Sequence, residues 1–174
     1  IGFTYNAGQN SMMYGYWTRV FKSGGYNLRN SVDLATFPDA SPKADDETVE
    51  TLEFGMKTDF ENGRLNWALF STVVDDSQRM TNIQDPISGV AQVVKNAGDI
   101  AYRGFELDGI YSLTNTVTMV GSVGYVHSKY ENLISDLTGD FIIDALDYAL
   151  EIPRAAPLTY SLGFNIDGNI GSWR

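Results

Sequence analysis

The chain has 174 residues, no cysteine, and 22 acidic against 12 basic side chains, for a formal net charge of −10. That balance opposes the phosphate neutralisation on which nucleic-acid binding depends, so no nucleic-acid partner is expected, and neither a disulfide framework nor a thiolate metal site can form. Ten Tyr, nine Phe, three Trp and 17 Gly favour strands joined by turns over a helical bundle.

Residues 1–5 read as the end of a strand and residues 6–10 as a short turn. Residues 12–22 form a strand with apolar side chains on both faces. Tyr14 and Tyr16 lie on one and Trp17 and Phe21 on the other, so its orientation stays open. Gly24, Gly25, Pro38 and Pro42 interrupt residues 23–46, a long loop. Next, Leu52, Phe54, Met56 and Phe60 alternate with Glu53, Gly55, Lys57 and Asp59, which is period two and predicts a strand with one apolar face. Asn62-Gly63 is a tight-turn signal, because both residues tolerate positive φ. The chain is expected to reverse there into a second strand that runs to about Val74 and is apolar on both faces.

Residues 75–95 are a second long polar stretch, read as a loop. Tyr102, Gly104, Glu106 and Asp108 then alternate with Arg103, Phe105, Leu107 and Gly109 in another strand. The uncharged run 109–128 has the length of a membrane-spanning helix, but its Ser and Thr residues fit two strands joined at Thr114-Asn115-Thr116. No helical membrane span is expected. In the third long connection, residues 131–153, the spacing of Phe141, Ala145, Tyr148 and Ala149 predicts a short surface helix over residues 140–150. In the last strand Leu158, Tyr160, Leu162, Phe164 and Ile166 occupy one face, before a turn at Asp167-Gly168-Asn169.

Short and long connections therefore alternate along the chain. Outer-membrane β-barrels have this regularity, with short periplasmic turns, long extracellular loops, and strands that are apolar towards lipid and polar towards a lumen. The fold predicted is all-β: an antiparallel transmembrane β-barrel, of which this chain supplies an incomplete segment of about seven strands. An open sheet edge in lipid leaves backbone groups unsatisfied, so further strands are expected on one or both sides. The absence of an initiator Met and of a signal peptide likewise reads as a cut piece. On this reading Leu52, Phe54, Met56 and Phe60 face lipid, Glu53, Lys57 and Asp59 face the lumen, and Asn62-Gly63 is a periplasmic turn.

Glu50-Thr51-Leu52-Glu53-Phe54-Gly55-Met56-Lys57, the turn Asn62-Gly63-Arg64-Leu65, and Phe70 and Gln78 downstream resemble the barrel of TonB-dependent outer-membrane receptors. That family carries a similar Glu-x-Gly-x-Lys strand, an Asn- or Asp-Gly-Arg turn, and a downstream aromatic residue and Gln. Phe21-Lys22-Ser23-Gly24-Gly25-Tyr26-Asn27, Asn96-Ala97-Gly98 with Arg103-Gly104-Phe105-Glu106-Leu107, and Ile152-Pro153-Arg154-Ala155-Ala156-Pro157 are similar to further family segments, in the same order. The resemblance implies a barrel of about 22 strands filled by an N-terminal plug. It implies import of a scarce nutrient, foremost a ferric siderophore, with energy passed through TonB in the outer membrane of a Gram-negative bacterium. No plug-like segment, TonB box or closing strand is recognised, so residues 1–174 are read as a portion of a single barrel domain. Two alternatives stay open: a passive porin-like or structural outer-membrane barrel, and an acidic secreted β-rich binding module or glycosidase.

For a glycosidase the paired carboxylates would come from Glu53, Asp59, Glu106 and Asp108, but the bland reading is lumen charge that bonds with a plug and trapped water. No catalytic residue, cofactor or metal site is expected. His127 is the only histidine and has no Cys partner, whereas metal sites need several convergent ligands. The candidate substrate contacts are Tyr102, Glu106, Glu53 and Lys57, all on predicted lumen faces. The long connections carry acidic residues such as Asp45, Asp76, Asp136, Asp140, Asp144 and Asp147. These keep the loops solvated, bridge divalent cations to lipopolysaccharide, or attract a cationic ligand. Tyr14, Trp17, Tyr111, Tyr125, Tyr130 and Tyr160 are expected in the aromatic girdles at the lipid–water boundaries.

Overall fold

A computed structural model describes residues 1–27, 43–85, 89–140 and 142–168. In chain order the elements are β1 (Gly2–Asn6), β2 (Ser11–Lys22), β3 (Gly25–Tyr26), β4 (Lys43–Ala44), β5 (Glu47–Phe60) and β6 (Gly63–Asp75). There follow β7 (Gln78–Asp85), β8 (Gly89–Asn96), β9 (Gly98–Ser112), β10 (Val117–Leu133), α1 (Ala145–Tyr148) and β11 (Leu158–Ile166). Seven of the strands build one antiparallel sheet in the order β1-β2-β5-β6-β9-β10-β11. Neighbours in space are thus neighbours in sequence once the long connections are set aside, the up-and-down order of a barrel wall. Strands β1 and β11 are the two edges and do not pair with each other, so the sheet is open. Among the described residues no helix is long and apolar enough to cross a membrane.

The register sorts the side chains onto two faces. Gly55 lies opposite Tyr14 and Ala68, and Lys57 opposite Met12 and Asn66. Glu106 lies opposite Ala68 and Gly124, and Asp108 opposite Asn66 and Ser122. Two residues cannot be opposite in a sheet and point to different faces, so these positions form one polar surface. The other surface aligns Met13, Met56, Trp67, Leu107, Val123 and Tyr160 in a single row across six strands. This resolves both strands whose orientation is open in the sequence. In β2 the polar face carries Tyr14 and Tyr16, and in β6 it carries Asn66, Ala68 and Phe70, while Trp17, Leu65, Trp67 and Leu69 belong to the apolar face.

That apolar face is uncovered. Leu52 is 60% exposed, Leu69 53% and Leu162 67%, and monomeric soluble domains rarely expose an apolar patch that runs across a whole sheet. From Phe60 to Leu52 it runs eight residues along β5, about 26 Å along the strand and roughly 20 Å once a typical barrel tilt is applied. This approaches the roughly 25 Å lipid-facing band of outer-membrane barrels. At its lower end Phe60 and Tyr111 pack with ring centroids 6.0 Å apart. At the upper end charge begins, with Arg19 paired to Glu50 at 3.3 Å and Lys129 to Glu131 at 2.9 Å. Trp17, Tyr111, Tyr125 and Tyr160 lie on this face. Tyr14 and Tyr130 do not: Tyr14 hydrogen-bonds to Glu53 on the polar side, and Tyr130 is buried.

The turn at the tip of the β5–β6 hairpin differs in detail from expectation. Phe60 pairs with Gly63, so the central residues are Glu61-Asn62, and neither they nor Gly63 have positive φ. The glycine is required for a different reason. A Cβ on Gly63 would sit 2.2 Å from the carbonyl oxygen of Ile110, because β9 runs directly alongside. Across this turn Arg64 donates to both carboxylate oxygens of Asp59, at 2.5 and 3.1 Å. At the next short connection the Thr114 hydroxyl accepts from the Thr116 and Val117 N–H groups, at 3.2 and 3.0 Å.

The long connections carry structure of their own. In the first, β3 pairs with β4. The second, expected to be an irregular loop, is a hairpin in which β7 and β8 pair along their full length. In the third, α1 is shorter than the predicted helix, with Asp144 as its N-cap accepting from Leu146 N–H and Ala149 as its C-cap. Phe141, which contributed to that expectation, lies outside the described residues. Above the apolar band Ile100, Tyr130, Leu133 and Ile152 form a buried cluster, with Val74, Tyr102, Leu137 and Ala155 packed around it. It anchors the third connection to the top of the wall.

Candidate functional site

The polar face offers one continuous set of functional groups. Because Tyr16 lies opposite Glu53 and Tyr14 one step along the ladder, both phenols reach the same carboxylate. Tyr14 donates to Glu53 Oε1 at 2.9 Å and Tyr16 to Oε2 at 2.7 Å, and the two rings stack within 10° of parallel. The ring of Tyr14 lies flat over Gly55, where a Cβ would come 2.6 Å from its atoms. Lys57 Nζ stands 5.9 Å from the same ring, a cation–π distance. On the next two strands Asn66 Nδ2 donates to Asp108 at 2.8 Å, and Asn66 Oδ1 is buried without a hydrogen-bond partner.

Tyr14, Glu53, Lys57, Asn66, Ala68, Glu106 and Asp108 together line one polar recess. Of the sequence-derived candidates, Glu53, Lys57 and Glu106 thus come together. Tyr102 stands apart, packed against the Ile100–Tyr130 cluster. Tyr14, Tyr16, Asn66 and Asp108 join the group. The tyrosines carried no clear signal because β2 has aromatic residues on both faces. Chemically the recess is a binding surface: carboxylate acceptors, amide and phenol groups and one ammonium. Glu53 has both oxygens engaged by phenols, which leaves it poorly placed for attack or proton transfer. A second recess, lined by Phe60, Leu65, Leu107, Tyr111, Met119 and Val123, lies on the opposite face and suits acyl chains.

At the outer end of the wall the long connections are tied together by two amides. Gln78 Nε2 donates to the carbonyls of Ser23 at 3.2 Å and Asp45 at 2.9 Å, while its backbone N–H donates to Glu47 at 2.7 Å. Asn96 Nδ2 donates to the carbonyls of Asp45 at 3.1 Å and Asp76 at 2.6 Å, and Asn96 Oδ1 accepts from the Asp45 N–H at 2.8 Å. Asn27 pairs with both backbone groups of Val94, as a strand would, at 2.8 and 2.9 Å. Ser135, from the third connection, donates to the Asn96 carbonyl at 3.1 Å. The conspicuous polar residues of the sequence motifs around 21–27, at 78 and at 96–98 thus converge on one ligature of loop bases.

Much of the acidity of the third connection is structural. Asp147, fully buried, accepts from the N–H groups of Asp144 at 3.0 Å, Leu137 at 2.8 Å and Thr138 at 2.9 Å. These bonds, that of Asp144 first, hold its carboxyl down at a pKa of about 2, against the opposing effect of desolvation. Asp136 and Asp140 accept from the N–H groups of Gly139 and Ile142. Among the described residues no group of three or more His, Asp or Glu side chains is arranged to hold a metal ion.

The sequence model of the family described as TonB dependent receptor-like, beta-barrel matches residues 1–174. None of the curated proteins matches the chain. Among solved structures the ferric yersiniabactin uptake receptor FyuA from Yersinia pestis is similar, with a TM-score of 0.58 and 19% identity over 74% of this chain and 18% of that one. The copper transporter OprC is similar with a TM-score of 0.66 and 15% identity, over 96% of this chain and 24% of that one. At these identities the two structures speak for the fold, and the chain spans only about a fifth to a quarter of their length. An uncovered apolar face, a polar face opposite it, alternating short and long connections and a family match over every residue lead to one conclusion. The chain belongs to the TonB-dependent receptors and forms part of their β-barrel in the Gram-negative outer membrane.

Proposed function

We propose that the protein to which this chain belongs imports a scarce nutrient, most readily a ferric siderophore, by uptake coupled to TonB. On this reading residues 1–174 are one stretch of a single barrel domain, completed by other strands and filled by a plug that the rest of the protein supplies. The observation that carries the proposal is the polar face of a family barrel wall, on which Glu53, Lys57, Glu106 and Asp108 line one recess; a closed barrel of about 22 strands would turn that face to a lumen wide enough to need a plug. FyuA, by its description an uptake receptor for a ferric siderophore complex, supports the choice of cargo. OprC, described as a copper transporter, supplies the competing one. The receptor acts as a transporter and not as a glycosidase, in keeping with its family and with the engaged oxygens of Glu53.

The test is uptake in a deletion strain under iron limitation, with and without a functional TonB. Loss of uptake of one ferric chelate in both the receptor deletion and the TonB mutant is the expected result. Uptake that persists without TonB would mean a passive barrel. Unchanged uptake of every ferric chelate, with copper accumulation lost, would replace the siderophore by copper.

A further inference from the structure

We propose that Asn62 is a site of spontaneous deamidation on the periplasmic rim: the Gly63 backbone nitrogen closes a ring on the Asn62 side chain, and water opens that ring to aspartate. Asn62 is the only asparagine of the chain followed by glycine, the residue that shields its own nitrogen least because it has no Cβ. That neighbour is not free to vary. A Cβ on residue 63 would meet the Ile110 carbonyl oxygen at 2.2 Å, so the packing of β9 against the hairpin fixes the reactive pair Asn62-Gly63 at this turn. Asn62 is exposed, and its side chain makes no hydrogen bond with any described residue. The turn is one of the short connections, which face the periplasm, where water has free access.

The fold also activates the attacking nitrogen. Ring closure needs the Gly63 N–H deprotonated, and the resulting charge is shared with the Asn62 carbonyl oxygen through amide resonance. Ser112 N–H donates to that oxygen at 2.7 Å, a fixed donor aimed where the charge develops. The Gly63 nitrogen gives its proton to solvent base and bonds to Asn62 Cγ. The Cγ–Nδ2 bond breaks, and the amide nitrogen leaves as ammonia with a proton from solvent. One water then opens the five-membered ring. Addition at Cγ yields aspartate, and addition at the main-chain carbonyl carbon yields isoaspartate, with one more carbon in the main chain. Phe60 and Gly63 pair directly across the turn, which leaves little room for a longer link and favours aspartate. The new carboxylate stands beside Glu61, while Arg64 is already held by Asp59. Deamidation therefore adds unbalanced negative charge to the rim. The proposal depends on the hairpin and not on the cargo.

The test incubates the intact, folded receptor in detergent at neutral and at alkaline pH and follows the tryptic peptide of residues 58–64 by mass spectrometry. The wild type is expected to gain about 1 Da on that peptide, an amide NH2 exchanged for OH. The gain is expected to be faster at alkaline pH, to yield more aspartate than isoaspartate, and to leave the peptides bearing Asn66, Asn115 and Asn132 unchanged. Hydroxylamine added during the incubation is expected to trap the ring. Ser112→Pro, which deletes the donor N–H, is expected to slow the conversion roughly tenfold, an exposed donor being worth less than one in a closed site. No gain in the folded wild type while the free peptide of residues 58–64 converts overturns the proposal, whether or not Ser112→Pro folds. Equal conversion at the other asparagines overturns the assignment to this turn. Conversion with no ring to trap overturns the attack by Gly63, and an unchanged rate in a folded Ser112→Pro variant overturns the part given to Ser112.

Discussion

A methyl group at residue 63 has nowhere to go: the Ile110 carbonyl oxygen is 2.2 Å from where it would lie, and the strand bearing that oxygen is held by its own ladder. Gly63→Ala is therefore expected to cost about 1–3 kcal/mol through forced strand separation, read as a lower temperature for loss of the folded band on semi-native gels. Asn62→Ala at the centre of the same turn is expected to stay within about 0.5 kcal/mol, since Asn62 is not held at positive φ. The reverse order of costs would restore the turn-geometry reading that Asn62-Gly63 invites. The sequence locates the turn correctly but not the reason for its glycine, because the reason lies on a strand nearly fifty residues on. Asp147 makes the second case. Its carboxyl sits near 2 when folded, below the roughly 3.9 of an unfolded Asp, so its contribution is complete above about pH 4 and lost as pH falls through 2. Amide protection at Leu137, Thr138 and Asp144 is expected to fall across that window. In Asp147→Asn it should be low already at neutral pH, where the amide turns a donor towards an N–H.

At the level of elements, the loop bases are held by side-chain amides more than by apolar packing. Gln78→Ala removes donors from the Ser23 and Asp45 carbonyls, and with them the joint between the first and second connections. These bonds are exposed, so losing them costs the ordinary net worth of a hydrogen bond, about 0.5–1.5 kcal/mol, and proteolytic cleavage within residues 23–46 is expected to accelerate several-fold while the barrel wall stays resistant. Cleavage at the wild-type rate would mean that water replaces the amide without loss. These ties were half legible. The motif resemblance draws the eye to Gln78 and Asn96, but their partners lie at residues 23, 45 and 76 and no local pattern joins them. The β7–β8 hairpin was not legible at all. In the wall, period two is written strongly because lipid meets one face of every strand. Outside the membrane nothing enforces an apolar row, and residues 75–95 read as a polar loop although β7 and β8 within that stretch pair residue for residue. The same logic explains β2 and β6: aromatic residues on the polar face, Tyr14 and Tyr16 held by Glu53 and Phe70 lying over Gly104, blur the alternation.

For the molecule as a whole the decisive property is that adjacent residues of one strand meet different solvents. Val123 and Ser122 on β10 make the comparison sharp. Val123 belongs to the central apolar row, between Leu107 and Tyr160, about midway between the Phe60 end and the charged rim. Ser122 lies on the polar face beside Asp108 and shares a 2.7 Å hydrogen bond with Ser161. An arginine at 123 must place its charge in hydrocarbon or drag water towards it, at about 2–4 kcal/mol near the bilayer midplane. An arginine at 122 replaces one hydroxyl contact and gains a carboxylate within reach. Val123→Arg is accordingly expected to lower the amount of heat-modifiable, folded receptor in the outer-membrane fraction, with the protein diverted to periplasmic degradation. Ser122→Arg should assemble at the wild-type level, because its charge falls on the polar face beside Asp108. Equal assembly of the two variants would contradict the assignment of faces, and with it the lipid-facing role of the row from Met13 to Tyr160. The loop alternation alone predicts a barrel but not which face of β6 or β2 is outside; that follows only from register, which couples every strand to the unambiguous alternation of β5 and β9.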